Sequence, residues 1–255
     1  MTTRLRRAAV LLPLLALAVL APVPTASAVI GGSVSTRGPW AVRMLVDGKP
    51  LCTGTAITRE WILSASHCFF EQAAPVADAR IEFRIGSLDQ RSGTPVHPVR
   101  ESRRGSPVAD MMLIKVPPAD LTPAKLPGQE PVPPGRLLRQ YGWGATCSGD
   151  ENSCQSDVLK QADLRVLPAG DKRCARYAVP GGTDFCAGSF SGIPAGGDSG
   201  GPVMGTGADE DTLVGVFDES DRESIAAAGD VSRQLDWIHG VIGDREGHCG
   251  TIHSG

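Results

Sequence analysis

Beyond its first 28 residues the chain has no apolar run long enough to cross a membrane. It has no Cys-x-x-Cys pair of the kind that holds zinc, and no internal repeat at a solenoid period. Aromatic residues are few, with 4 Trp, 2 Tyr and 6 Phe in 255 residues. Positive charge is short as well. After residue 28, 22 basic side chains face 28 acidic ones, a net charge of −6 with histidine neutral. Such an acidic balance favours solubility and argues against nucleic acid as a partner. What is abundant is turn chemistry: 31 Gly and 20 Pro point to many short strands rather than long helices.

The first 28 residues read as a secretory signal. Arg4, Arg6 and Arg7 form a basic start, Ala8 to Leu20 is apolar apart from Pro13, and Ala26-Ser27-Ala28 is an A-x-A cleavage site. The arginine pair also suggests twin-arginine export, a pattern that the following residues fit weakly. Cleavage after Ala28 leaves 227 residues, which suits one large all-β domain or two small ones. The expected product is secreted and extracellular, with no membrane attachment once the signal is removed.

Short β-type runs recur in the remainder. Trp40–Val46, Leu51–Ile57, Trp61–Ser64, Ile81–Ile85 and Met111–Val116 are strand candidates before a connection, Pro117 to Pro134, that contains seven prolines. Leu137–Tyr141, Val158–Val166, Pro202–Met204 and Thr212–Phe217 follow it. Val231, Leu235, Ile238 and Ile242 have helical spacing, with Asp230 available as a cap. The organisation expected is a signal over 1–28, a first β unit over about 29–130, a second over about 131–230, a helix over about 231–242 and a polar tail over 243–255.

All seven cysteines lie after the signal: Cys52, Cys68, Cys147, Cys154, Cys174, Cys186 and Cys249. Export makes disulfides the default for them, and an odd number leaves one thiol over. The tail groups His248, Cys249 and His253 together, a cluster that in a polar tail is incidental far more often than metal-binding. No metal and no cofactor are expected.

The chemistry concentrates in Gly196-Gly197-Asp198-Ser199-Gly200-Gly201-Pro202. A serine hydroxyl is a poor nucleophile until a base takes its proton and backbone N–H groups receive the developing negative charge. Taken alone the stretch also suits a glycine-rich turn. Of five histidines, His97 lies in a loop context, His239 on the candidate helix, and His248 and His253 in the tail. His67 alone follows a strand candidate directly beside a cysteine, a setting that also suits a merely buried histidine. Asp110 opens the apolar run Asp110 to Val116; such an acid is either a strand-end turn residue or a carboxylate carried to the edge of a core.

Ala65-Ser66-His67-Cys68, Asp110-Met111-Met112-Leu113-Ile114-Lys115 and Gly196 to Pro202 resemble the signatures of the trypsin- and chymotrypsin-like serine proteases, in that family's order, with separations of 43 and 89 residues. Val29-Ile30-Gly31-Gly32, Tyr141-Gly142-Trp143-Gly144, Phe185-Cys186-Ala187-Gly188 and Leu235-Asp236-Trp237-Ile238 match as well, so the resemblance spans nearly all of 29–242. The chain reads as a secreted, bacterial-type member. The resemblance implies two six-stranded antiparallel β-barrels of the chymotrypsin-like kind, with a C-terminal helix. It implies Ser199 as nucleophile, His67 as general base, Asp110 as its orienting carboxylate, and the N–H groups of Gly197 and Ser199 as the oxyanion hole. It further implies that a free Val29 amine pairs with Asp198. Signal cleavage would itself expose that amine, giving activity without a separate zymogen step. Cys52–Cys68 and Cys174–Cys186 match family bridges. Cys147 and Cys154 lie outside the common pattern but close enough for a local bridge, and Cys249 is left over.

Two departures bear on specificity. Ile193 stands six residues before the serine, where trypsin-like members carry an aspartate, and Ala195 replaces a usual cysteine in a segment about two residues short. A small or apolar side chain before the cut bond is expected. Where the family has Ser-Trp-Gly, this chain has Asp218-Glu219-Ser220. Its acids either repel Asp110 and perturb its protonation, or supply a site for a basic substrate, or belong to a solvated loop after a strand that ends early. The expected function is a serine endopeptidase acting on proteins or peptides. The alternative is a catalytically silent relative that serves as a binding module. A lipase or esterase would carry its residues in the order Ser, Asp, His, the reverse of the order here.

Overall fold

The computed structural model describes residues 29–243. The signal over 1–28 and the cluster His248, Cys249 and His253 lie outside the described residues. Six principal strands precede the proline-rich connection: β1 (Ala41–Val46), β2 (Lys49–Ala56), β3 (Trp61–Ser64), β4 (Ile81–Ile85), β5 (Thr94–Val96) and β6 (Met112–Lys115). Six follow it: β7 (Leu137–Gly142), β8 (Lys160–Val166), β9 (Asp184–Ser189), β10 (Pro202–Met204), β11 (Leu213–Ser220) and β12 (Ile225–Asp230). The fold is mostly β, of the chymotrypsin-like class, and among the described residues it has one α-helix, α1 (Leu235–Ile242), at its end.

The second set closes on itself. Its antiparallel order is β8-β7-β10-β11-β12-β9, and β9 pairs back onto β8. The first set is an antiparallel sheet of order β5-β4-β1-β2-β3-β6, extended beyond β6 by the short strand Arg104–Gly105. Its far sides meet where Val99, just past β5, donates its N–H to the carbonyl of Lys115 on β6 at 2.8 Å. The two halves are not independent along the chain. Ser33–Val34 crosses over to pair with β8 of the second set.

Side-chain alternation explains the strands. In β4, Ile81, Phe83 and Ile85 face the core while Glu82 and Arg84 face outward. In β8, Ala162, Leu164 and Val166 do the same. Three strands were not foreseen: β5, β9 and β12. The last two are rich in Ala and Gly, with Ile225 their only β-branched residue, and gain their structure from pairing with each other over five positions, Asp184 to Gly188 against Ile225 to Gly229. The helical spacing from Val231 resolves into a 3₁₀ turn, Val231–Gln234, followed by α1. The Asp230 carboxylate caps that turn by accepting from the Ser232 N–H at 3.0 Å.

A core shared between the halves locks them together. Trp40, Leu63, Met111 and Leu113 from the first half pack with Tyr141, Trp143, Met204 and Val216 from the second and with Leu235 and Ile238 below. The Trp40 and Tyr141 rings meet edge to face at 4.8 Å. Disulfides join Cys52 to Cys68, Cys147 to Cys154 and Cys174 to Cys186. Cys249 lies outside the described residues. Among those residues no helix is long and apolar enough to cross a membrane.

Candidate active site

The candidate residues lie beside the ends of strands that the shared core brings together. His67 sits on a one-turn 3₁₀ segment, Ser66–Phe69, straight after β3, and the Cys52–Cys68 bridge ties that turn to β2. Asp110 lies two residues before β6, the antiparallel neighbour of β3. Pairing those strands therefore carries the acid to the histidine across 43 residues. The Asp110 carboxylate accepts twice from His67, at 2.9 Å from its backbone N–H and at 2.5 Å from ring Nδ1. This holds the imidazole with its Nδ1 face turned inward and Nε2 left for chemistry.

Ser199 precedes β10 and is held from both halves. Its carbonyl accepts the N–H of Thr53 on β2 at 2.9 Å, and the next N–H, of Gly200, donates to Phe217 on β11 at 2.7 Å. Gly200 has φ +77°, and a Cβ there would lie 2.1 Å from Ser64 Oγ and 2.5 Å from the Thr53 carbonyl. Only glycine satisfies both constraints. The Ser199 hydroxyl donates to the carbonyl of Asp218 at 3.3 Å. Among the described residues no hydrogen bond joins it to His67, and neither the Gly197 nor the Ser199 N–H donates to a protein acceptor.

Asp198 is fully buried. Its Oδ1 accepts the Gly144 N–H at 2.8 Å and its Oδ2 the Ala195 N–H at 2.9 Å. The Gly-Trp-Gly turn must be bare to permit this, because a Cβ at Gly144 would lie 2.4 Å from the carboxyl carbon. Burial pushes the Asp198 pKa up to about 6, against the pull of those two N–H groups and of Arg43. Val29 is fully buried, with its carbonyl accepting from the Gly32 N–H at 2.6 Å. Among the described residues no hydrogen bond joins Val29 to Asp198.

The sequence offered no role for Arg43. It lies in the middle of β1, is completely buried, and spends its guanidinium on the loop before the serine. Nη1 donates to the Gly197 carbonyl at 2.8 Å and Nη2 to Gln155 Oε1 at 2.7 Å. Nε donates to Gln90 Oε1 at 3.0 Å. Thr53 Oγ1 adds a second donor to the same Gly197 carbonyl at 2.9 Å, and Gln155 Nε2 reaches the Gly196 carbonyl at 2.8 Å. Burial lowers the Arg43 pKa to about 10, which leaves it charged at neutral pH. The available signal was an arginine inside an otherwise apolar strand, since buried charge is kept only where it is well paired.

The strand carrying Asp218 does not end early. β11 runs on through Ser220, and the turn follows, built by Asp221 Oδ1 accepting the N–H groups of Glu223, Ser224 and Ile225. Asp218 is half-buried, 3.5 Å from His67 Nδ1, whereas Glu219 is exposed. Of the three readings of this stretch, like-charge crowding with Asp110 is the one that the geometry matches. Burial opposes charge on His67, but the hydrogen bond and charge of Asp110, joined by Asp218 and Glu219, outweigh it and raise its pKa.

Ile193 is buried and bridges Ile30 in a short antiparallel contact, packing among Val214, Phe217 and Ala226. Ser220 is half-buried, and its Oγ donates to the Pro194 carbonyl at 2.5 Å. Arg222 braces Ser220 through Nη1 at 3.0 Å and pairs with Glu151 at 2.6 Å. Glu151 Oε2 in turn accepts the Gly196 N–H at 2.8 Å. Ser220, Pro194, Arg222 and Glu151 thus form a strap beside the serine loop, with no acid at the Ile193 position.

The trypsin family profile matches residues 29–238. Serine protease 56 of Homo sapiens is 29% identical over 192 residues, which is 69% of this chain and 31% of the human protein. Serine protease 56 of Mus musculus is 28% identical over 191 residues, again 69% and 31%. The match therefore spans about a third of each relative's length. Both relatives are mammalian, which gives no support to a bacterial-type placement. With a profile match over most of its length, on a fold of the corresponding class, the chain belongs to the trypsin family of serine proteases.

Proposed function

We propose that this protein is a secreted serine endopeptidase that cleaves peptide bonds through an acyl-enzyme. The observation that carries the reading is the Asp110–His67 pairing at 2.5 Å, on the same side of the fold as the glycine-flanked Ser199. For the reaction the Ser199 hydroxyl leaves the Asp218 carbonyl for His67 Nε2; catalytic hydrogen bonds commonly form only once substrate is bound. His67 then takes the hydroxyl proton, Ser199 Oγ attacks the substrate carbonyl, and the N–H groups of Gly197 and Ser199 receive the oxyanion. The imidazolium, steadied by Asp110, returns the proton to the leaving amine. Water repeats the sequence on the acyl-enzyme.

Substrates are proteins or peptides, with a small or apolar side chain before the cut bond. Ile193 supplies no countercharge, and Ser220 is held by its bond to the Pro194 carbonyl beside it. Residues 1–28 act as a secretory signal. Their removal frees Val29, whose amine pairs with Asp198.

A second reading is a catalytically silent relative that binds rather than cuts. The Ser199 hydroxyl engaged by Asp218, and the strap at Ser220, favour it. A serine-directed fluorophosphonate separates the two. Covalent labelling at Ser199, lost in Ser199→Ala, supports the enzyme. A protein of native fold that stays unlabelled at millimolar probe refutes it.

A further inference from the structure

β11 carries one residue more than its partner between Phe217 and Glu219. Phe217 pairs with Ala228 and Glu219 with Ala227, so Asp218 is the extra residue of a β-bulge. A bulge breaks the in-out alternation and re-aims one side chain. Here it places Asp218 Oδ1 3.5 Å from His67 Nδ1, the same nitrogen that lies 2.5 Å from Asp110 Oδ2. A ligand atom from each of the three side chains lies within 4.8 Å of the others.

Nδ1 carries one hydrogen, and Asp110 takes it. Asp110 also accepts the His67 backbone N–H, so its ionised form is the better served of the two. No lysine or arginine forms an ion pair with either carboxylate among the described residues. The other charged groups nearby are acidic: Glu219 beyond the bulge and Asp184 on β9. Two carboxylates this close, with one shared donor between them, do not both ionise in the ordinary carboxylate range; the second proton is held to higher pH.

We propose that Asp218 holds the proton of a carboxyl–carboxylate pair with Asp110, and through it positions Asp110 against His67 and sets when His67 is free to act as a base. The inference rests on the endopeptidase reading for its effect on turnover, but not for its effect on the histidine. Burial first, then the charge and hydrogen bond of Asp110, push Asp218 up to about 7, in line with the geometry. While Asp218 keeps its proton, His67 faces one negative charge. Once it ionises, His67 faces two, and its own proton is held more tightly. The acid limb of activity then belongs to a coupled pair rather than to one imidazole.

The test is NMR titration of His67 Hε1 in wild type, Asp218→Asn and Asp218→Ala, beside kcat/KM against pH on a peptide substrate. Asparagine keeps a donor toward Asp110 but cannot ionise. It should lower the His67 pKa by about one unit, move the acid limb down equally and leave the plateau kcat within about threefold. Alanine should produce the same shift and lose about tenfold in plateau kcat, because Asp110 loses its partner. An unmoved His67 titration in Asp218→Asn overturns the proposal. If neither variant folds, ¹³C titration of the Asp218 carboxyl in wild type decides: a midpoint near 7 supports it, and an ordinary midpoint near 4 refutes it. A shifted histidine in a protein that cleaves nothing upholds this inference while the endopeptidase reading fails. Normal cleavage with an unshifted histidine does the reverse.

Discussion

The buried guanidinium of Arg43 donates to the carbonyl of Gly197 at 2.8 Å, tying a strand of the first half to the loop that presents Ser199 in the second. Gly197 thereby has its carbonyl held inside the protein, while its N–H makes no hydrogen bond to the protein among the described residues. An arginine in the core thus shapes the loop on which the proposed chemistry depends.

Replacing Arg43 with Met keeps the volume and removes the donors. Gln155 Oε1, Gln90 Oε1 and part of the Gly197 carbonyl's bonding are then unsatisfied in the interior, at about 1–3 kcal/mol for each group left wholly unpaired. A stability loss of roughly 3 kcal/mol is expected, read as a lower urea midpoint at unchanged slope. kcat should fall about tenfold with little change in KM. That is less than the 10²–10³ typical of deleting an oxyanion donor outright, since Thr53 Oγ1 still holds the carbonyl.

Ser199→Ala and His67→Ala should each remove activity by about four to six orders of magnitude, and the double variant should be no worse than either alone, because the two act as one unit. Single-turnover assays on the three variants check this. Additive losses would show that the residues work separately.

Ser220→Gly removes the hydroxyl that bridges to Pro194 and the acceptor braced by Arg222. Cleavage after bulky apolar residues should rise at least tenfold relative to cleavage after alanine, an amount within what one pocket contact is worth. A peptide library profiled with both proteins reads the change. An unaltered profile would place the specificity elsewhere.

Protein recovered from the secretion medium should begin at Val29, and its activity should carry an alkaline limb. A free α-amine titrates at about 7.7–8.0, and pairing with Asp198 raises that value in the fold. The active conformation is complete below the ordinary value and is lost as pH rises through the raised one. The same pairing should bring Asp198 back down from the value of about 6 to which burial drives it. A kcat/KM profile carried to pH 11 tests this, and a flat alkaline side would exclude the Val29 amine as the anchor.

Much of the architecture was readable along the chain. Runs such as Ile81 to Ile85 advertise a half-buried strand by alternation, and the seven prolines from Pro117 to Pro134 mark the passage between halves. Two of the strands that went unseen, β9 and β12, are rich in Gly and Ala, and they exist because each pairs with the other. Cys52–Cys68 and Cys174–Cys186 were legible from the family pattern, and Cys147–Cys154 from closeness along the chain. Asp218 was visible as an anomaly with three open meanings, and Arg43 attracted no attention.

The division has a physical cause. Sequence by itself determined which side chains are present and which backbone is permitted. Ser199 stands among glycines, His67 beside a bridging cysteine and Asp110 at the head of an apolar strand, all of them local patterns. Tertiary structure alone decided which charges meet. Asp218 reaches His67 through a bulge in one strand, and Arg43 reaches Gly197 across 154 residues. The energies of charges and hydrogen bonds depend on separations of a few ångströms, and those are set by register and packing rather than by position along the chain.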